Sequence, residues 1–152
     1  RIHSMASIIR ISRAKKENLK KEERRHPSLL SFPKKKYPLP KMETLRALQR
    51  EILPASYSLS IVNVGEKKAQ SLNKHYRGKM YIPNVLSFPL SETEGEIVLC
   101  PSQILREEKK FGLKAKKLFL LMVIHGMLHL KGHAHSVTME RKEREWLEKF
   151  SC

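Results

Sequence analysis

The chain has 152 residues, a length suited to one compact domain, and 40% of them are hydrophobic, enough for a core and too many for disorder throughout. Lysine and arginine number 31 against 15 acids, a formal charge of +16, and every acid is a glutamate. The missing aspartate excludes an aspartic-protease dyad, an Asp-built two-magnesium nuclease site and a Ser-His-Asp triad.

Arg1 to Ser4, ahead of Met5, read as a cloning remnant, which leaves 5–152 as a single domain. Residues 6–12 (ASIIRIS) alternate weakly and predict a first strand. A basic, proline-rich insertion follows over about 13–40, with Lys20-Lys21, Arg24-Arg25 and Lys34-Lys35-Lys36 interleaved with Pro27, Pro33, Pro38 and Pro40. Residues 1–50 hold 15 basic and 4 acidic groups, whereas 51–101 are neutral. Charge concentrated in this way suits an arm that contacts the phosphates of a nucleic acid.

Met42, Leu45, Leu48 and Ile52 fall at helical spacing, predicting a helix over 41–52. Residues 57–64 (YSLSIVNV) read as a strand, 65–76 as a helix ending near Gly78, and 85–88 and 96–100 as two short strands. Pro89 and Pro101 are expected to close those two strands. Ser102 is expected to cap a helix over 102–111, stopped by Gly112. The helix over 114–131 is apolar almost all round from Leu118 and belongs at the centre of the fold. An amphipathic helix over 138–150, carrying Met139, Trp146, Leu147 and Phe150, ends the chain. The expectation is an α+β fold with a small mixed sheet of about four strands and about five helices, one central and buried.

Cys100 and Cys152 form no CxxC pair and no disulfide framework. The longest apolar run, 118–124, has seven residues, too short for a membrane span, and no secretory h-region is present. A cytoplasmic protein without disulfide or membrane partner is expected.

Histidines gather at the end of the central helix in HGMLHLKGHAH, an H-x3-H-x5-H pattern. His125 and His129 are four apart, about 40° around the axis, and share a face. Gly132 ends the helix, and the reversed chain can return His135 toward the pair. Two ligands from successive turns and a third from outside the helix suit a zinc ion that keeps its fourth position open. His133 is a competitor for the third place, whereas His26 and His75 lie outside any ligand spacing. Metzincin proteases use the same spacing in HExxHxxGxxH, with the glutamate as general base. Gly126 occupies that position here, so the metal fits the pattern and the protease does not. Gly126 serves either the approach of an RNA backbone or helix packing; Ser87 has no partner to make it a nucleophile; Trp146 reads as a core anchor.

Three blocks resemble the YbeY family of bacterial endoribonucleases and rRNA maturation factors. HGMLHLKGHAH at 125–135 is similar to HGxLHLxGYDH, LNKHYRGKMYIPNVLSFPL at 72–90 to LNxxYRxKDxPTDVLSFP, and GEIVLCP at 95–101 to GDIVICP. The resemblance spans about 41–150 and implies a zincin-like fold. It also implies one Zn2+ per chain on His125, His129 and His135, and a catalytic role for Arg77. It further implies cleavage of single-stranded RNA, maturation of the small-subunit rRNA 3′ end, ribosome quality control, and work beside the small ribosomal subunit and its assembly proteins. The attacking group would be water or the ribose 2′-hydroxyl, with Arg77 over the non-bridging phosphate oxygens.

The departures are Ala134 at the family's acid, His133 at its tyrosine, Met80 at an aspartate, Ile82-Pro83 at Pro-Thr, and Glu96 at the aspartate of GDIV. An acid that orients a ligand is worth roughly 10–100-fold in affinity or activity, and Ala134 cannot supply it. The competing reading is a non-catalytic rRNA-binding assembly factor with a structural zinc. A small-molecule metallohydrolase suits the charge poorly.

Overall fold

The computed structural model describes Glu17 and residues 37–151. In chain order these form α1 (Met42–Ile52), β1 (Ser58–Asn63), α2 (Glu66–Arg77), β2 (Val85–Ser91), β3 (Glu94–Leu99), α3 (Pro101–Arg106), α4 (Glu108–Phe111), α5 (Ala115–Lys131) and α6 (Val137–Phe150). The sheet has the order β1-β3-β2, with β1 parallel and β2 antiparallel to the central β3.

Alternation along the strands feeds two separate cores. Val85, Ile97 and Leu99 pack with α5, whereas Leu86, Phe88, Val98 and Cys100 pack with Ala69 and Leu72 of α2. Side chains of a strand point to opposite faces in turn, so a sheet covered on both sides reads as continuous apolar runs such as VLSF and IVLC. The layers are therefore α2, the sheet, and α5 flanked by α1 and α6. Every residue of α5 from Leu118 to His129 is buried. Lys149 of α6 donates to Glu51 of α1 at 2.9 Å, an exposed pair that adds little beside this burial.

The α+β class and the buried central helix stand as expected. The helix count needs correction: residues 37–151 hold six helices rather than about five, together with the three strands expected there. The strand expected at 6–12 lies outside the described residues, as does the basic insertion at about 13–40 apart from Glu17 and residues 37–40. The extra helix arises where 102–111 splits at Glu107, whose φ of −96° and ψ of 3° leave the helical region. Its carboxylate is buried and accepts from Asn84 Nδ2 (2.8 Å) and Gln103 Nε2 (2.9 Å), tying the break to the loop before β2. Two prolines also act differently from expectation. Pro89 lies inside β2, which tolerates it because β2 is an edge strand with a register shift between Pro89 and Ser91. Pro101 opens α3 at its first position, where the lost N–H has no helical partner, so Ser102 does not cap.

Candidate metal centre

The site is built at the end of α5. Two helical turns place His125 and His129 on one side, with their rings edge to face at 4.5 Å. Gly132 then takes φ of 109°, a left-handed conformation, and its N–H closes the helix on the His129 carbonyl. The chain reverses over 133–135, and Ser136 caps α6 by accepting from the Met139 N–H at 3.2 Å. His135 is thus held between a glycine stop and a serine cap. Its Nε2 lies 2.6 Å from that of His129, which lies 3.0 Å from that of His125.

Hydrogen bonds on the far sides of two rings fix what meets in the middle. The carbonyl of His133 can only accept, so His129 Nδ1 carries the proton that reaches it at 2.9 Å. His125 Nδ1 donates in the same way to Glu143 Oε1. A ring that carries its one proton on Nδ1 turns an Nε2 lone pair inward, and the two rings aim theirs at the same point. One proton on His135 satisfies one of these lone pairs, whereas a cation satisfies all three donors. This donor set fits a metal ion that accepts imidazole nitrogen. The ligand atoms of His125, His129 and His135 all lie within 4.8 Å of one another. His125 and His129 are 1% and 3% exposed, whereas His135 is more open to solvent and marks the side from which a substrate can approach.

Burial, reinforced by His125 and His135, pushes the pKa of His129 down from 6.5 to about 3. A ring neutral at pH 7 offers its lone pair without competition from a proton. His133 takes part through its backbone carbonyl, and its ring is outside the trio.

Arg77 ends α2, the helix whose Ala69 and Leu72 pack on the sheet face opposite α5. Its Nη1 donates to Asn73 Oδ1 (3.0 Å) and to the Tyr81 hydroxyl (2.7 Å), and the guanidinium lies 5.7 Å from the Tyr81 ring centre. Asn73, fully buried, also donates from Nδ2 to the Tyr81 carbonyl at 2.9 Å. The arginine is preset by these two residues and makes its recorded hydrogen bonds to them rather than to the histidines.

Several sequence readings are decided here. A Cβ on Gly126 would stand 3.0 Å from Ile97 Cδ1 and 3.1 Å from Ser87 Oγ, so this glycine serves the close approach of α5 to the sheet. Ser87 donates its hydroxyl to the Gly126 carbonyl at 3.2 Å, a packing role. Trp146 is half-buried against the core, as expected of an anchor, and His75 is exposed, its ring edge against Tyr76. Cys100 is buried and free, while Cys152 and His26 lie outside the described residues. Among the described residues no helix is long and apolar enough to cross a membrane. Two contributors were missed: Glu143 and Asn73. Each carries a signal, a polar residue on an apolar stripe. Glu143 falls in register with Met139, Trp146, Leu147 and Phe150, and Asn73 with Ala69, Leu72 and Tyr76.

A three-stranded α+β fold with three convergent imidazoles at the end of its central helix defines a candidate metalloprotein. A family model described as Endoribonuclease YbeY matches residues 31–151, and the chain belongs to that family. Among curated relatives, Endoribonuclease YbeY of Aromatoleum aromaticum is 42% identical over 88 residues, 56% of this chain and 57% of that protein. The Bdellovibrio bacteriovorus protein of the same name is 40% identical over 98 residues, 63% of each chain. The Stenotrophomonas maltophilia one is 35% identical over 114 residues, 68% of this chain and 70% of that protein. The chain thus spans about 57–63% of the length of the first of these relatives. The solution structure of TM1509 from Thermotoga maritima matches with a TM-score of 0.55 and 26% identity, over 96% of this chain and 89% of that one.

Proposed function

We propose that this chain is a zinc-dependent endoribonuclease that cleaves single-stranded RNA, with one Zn2+ held by His125, His129 and His135. The observation that carries the reading is the pair of Nε2 lone pairs, fixed by Glu143 and the His133 carbonyl, that converge with His135 at a solvent-facing edge. Zinc in such a site supplies an activated water near neutral pH and a positive charge for phosphate oxygens. The protein's own share is to hold three neutral imidazoles, to leave the His135 side open, and to present Arg77 as a planar donor for a phosphate. Asn73 and Tyr81 hold that donor in place, so little conformational freedom is lost when it engages the substrate. Gly126 follows the first ligand where a general-base glutamate could stand, and Glu143 lies behind the His125 ring, so a bound metal would have to supply the deprotonated nucleophile. The basic residues of 1–50 contact RNA phosphates. We place the activity in the cytoplasm, in small-subunit rRNA 3′-end maturation and ribosome quality control beside the small ribosomal subunit and its assembly proteins.

The test is cleavage of a single-stranded RNA by the wild type and by His129→Ala, purified identically, with chelation and zinc restoration. Cleavage by the wild type alone, stopped by the chelator and restored by zinc, is expected. Equal cleavage by both proteins identifies a contaminating ribonuclease. RNA binding without cleavage by either favours the assembly factor with structural zinc. Arg77→Ala is expected to lower turnover by roughly 10²–10³-fold, the usual cost of one preset donor to developing charge. Its zinc content, measured by metal analysis, stays at the wild-type level because the hydrogen bonds of Arg77 go to Asn73 and Tyr81.

A further inference from the structure

Glu143 sits in the middle of α6, eighteen residues beyond His125, and its Oε1 meets His125 Nδ1 where neither group reaches solvent. The side chains are 1% and 2% exposed. A carboxylate so deep is a poor choice for stability alone, because an apolar residue of similar volume usually holds a core as well or better. Its position suggests another use. An imidazole that ligates through Nε2 must carry its proton on Nδ1, and a carboxylate there holds that tautomer, fixes the ring plane and raises the basicity of the ligating nitrogen. His129 receives the weaker version of the same support, a neutral backbone carbonyl at 2.9 Å. The two buried imidazoles are therefore held unequally, and His125 is the stronger donor.

The geometry points to Glu143 as a positioning residue for the metal centre: it orients His125 and strengthens its bond to the metal from the side of the ring opposite the ligating nitrogen. The imidazole stands between the carboxylate and the point where the Nε2 atoms meet, so Glu143 does not act as a base on a metal-bound group. Ala134, next to His135, offers no carboxylate; Glu143, one turn beyond buried Met139 on α6, supports His125. This inference rests on the reading of the trio as a metal centre, and its test separates the two.

Zinc affinity is measured by competition with a chromophoric chelator for the wild type, Glu143→Gln, Glu143→Ala, His129→Ala and Glu107→Gln. Glu107 is another buried carboxylate, bonded to Asn84 and Gln103, and Glu107→Gln reports the general effect of altering a buried acid. Glu143→Ala is expected to weaken zinc binding by roughly 10–100-fold, Glu143→Gln by less, and Glu107→Gln not at all. Glutamine keeps the size and an accepting oxygen, so Glu143→Gln serves where Glu143→Ala fails to fold. A second readout needs no metal: ring ¹⁵N shifts of His125 show the Nδ1–H tautomer in the wild type and a mixture of tautomers in Glu143→Ala. Wild-type affinity and tautomer in both Glu143 variants would overturn the positioning role while leaving the metal centre intact. A wild type that binds zinc no better than His129→Ala removes the centre, and the role of Glu143 with it.

Discussion

His129 is the most constrained member of the trio, with one nitrogen on the His133 carbonyl and the other facing two imidazoles. Its pKa of about 3, lowered first by burial and then by His125 and His135, has a consequence for stability. Between about pH 6.5 and 3 the unfolded chain binds a proton on this residue and the folded chain does not. Stability therefore rises with pH across that window and is lost as pH falls through it. Melting of the metal-free protein from pH 7.5 down to about 4 is expected to show a falling midpoint, and His129→Gln is expected to flatten the fall. An unchanged slope in His129→Gln would locate the acid sensitivity elsewhere. The clustering of the three histidines was legible in the sequence because helical periodicity and a glycine stop fix where they go. Glu143 was not, because its partner comes from another helix and only the packing of α6 on α5 brings the pair together. Its register with Met139, Trp146 and Leu147 marks it as facing the core but does not say what it meets there.

At the scale of elements, burial decided what could be read. Twelve consecutive buried residues from Leu118 to His129 made α5 plain, since an apolar helix without a polar face has no place but the centre. Local chemistry was harder where tertiary contacts overrode it. The break at Glu107 depends on Asn84, twenty-three residues earlier, and the tolerance of Pro89 depends on β2 lying at an edge. The turn after α5 is where element and site meet. Gly132 adopts φ of 109°, which L side chains avoid, so Gly132→Ala is expected to cost about 1–2 kcal/mol. It also carries His135 on its far side, so any relaxation of the turn moves the third ligand. The expected outcome is a lower denaturation midpoint and weaker zinc binding together. A midpoint that falls with zinc affinity unchanged would show that the Ser136 cap alone positions His135.

For the whole molecule, the relevant asymmetry is between a chemically specific centre in the C-terminal half and a charge excess at the other end. The formal charge of +16 includes +11 from residues 1–50, where 15 basic groups face 4 acids, and none from 51–101. A polyanion bound by such a surface releases counterions, and for single strands the logarithm of affinity falls with the logarithm of salt at about −0.7 per phosphate neutralised. This gives the Lys34-Lys35-Lys36 run a separable, quantitative role. Replacing all three by glutamine is expected to make the slope shallower by about 2 if each contacts a phosphate, as read by fluorescence anisotropy of a labelled single-stranded RNA over a salt series. Zinc affinity and melting midpoint are expected to stay at wild-type values, since none of the three approaches the described ligands in sequence. The converse variant, His129→Ala, is expected to lose the metal and keep the salt slope. If the lysine variant binds RNA with an unchanged slope, phosphate contact passes to the basic residues of the C-terminal third, where 11 basic groups face 6 acids. The N-terminal third is then a solvating segment rather than an arm on the substrate.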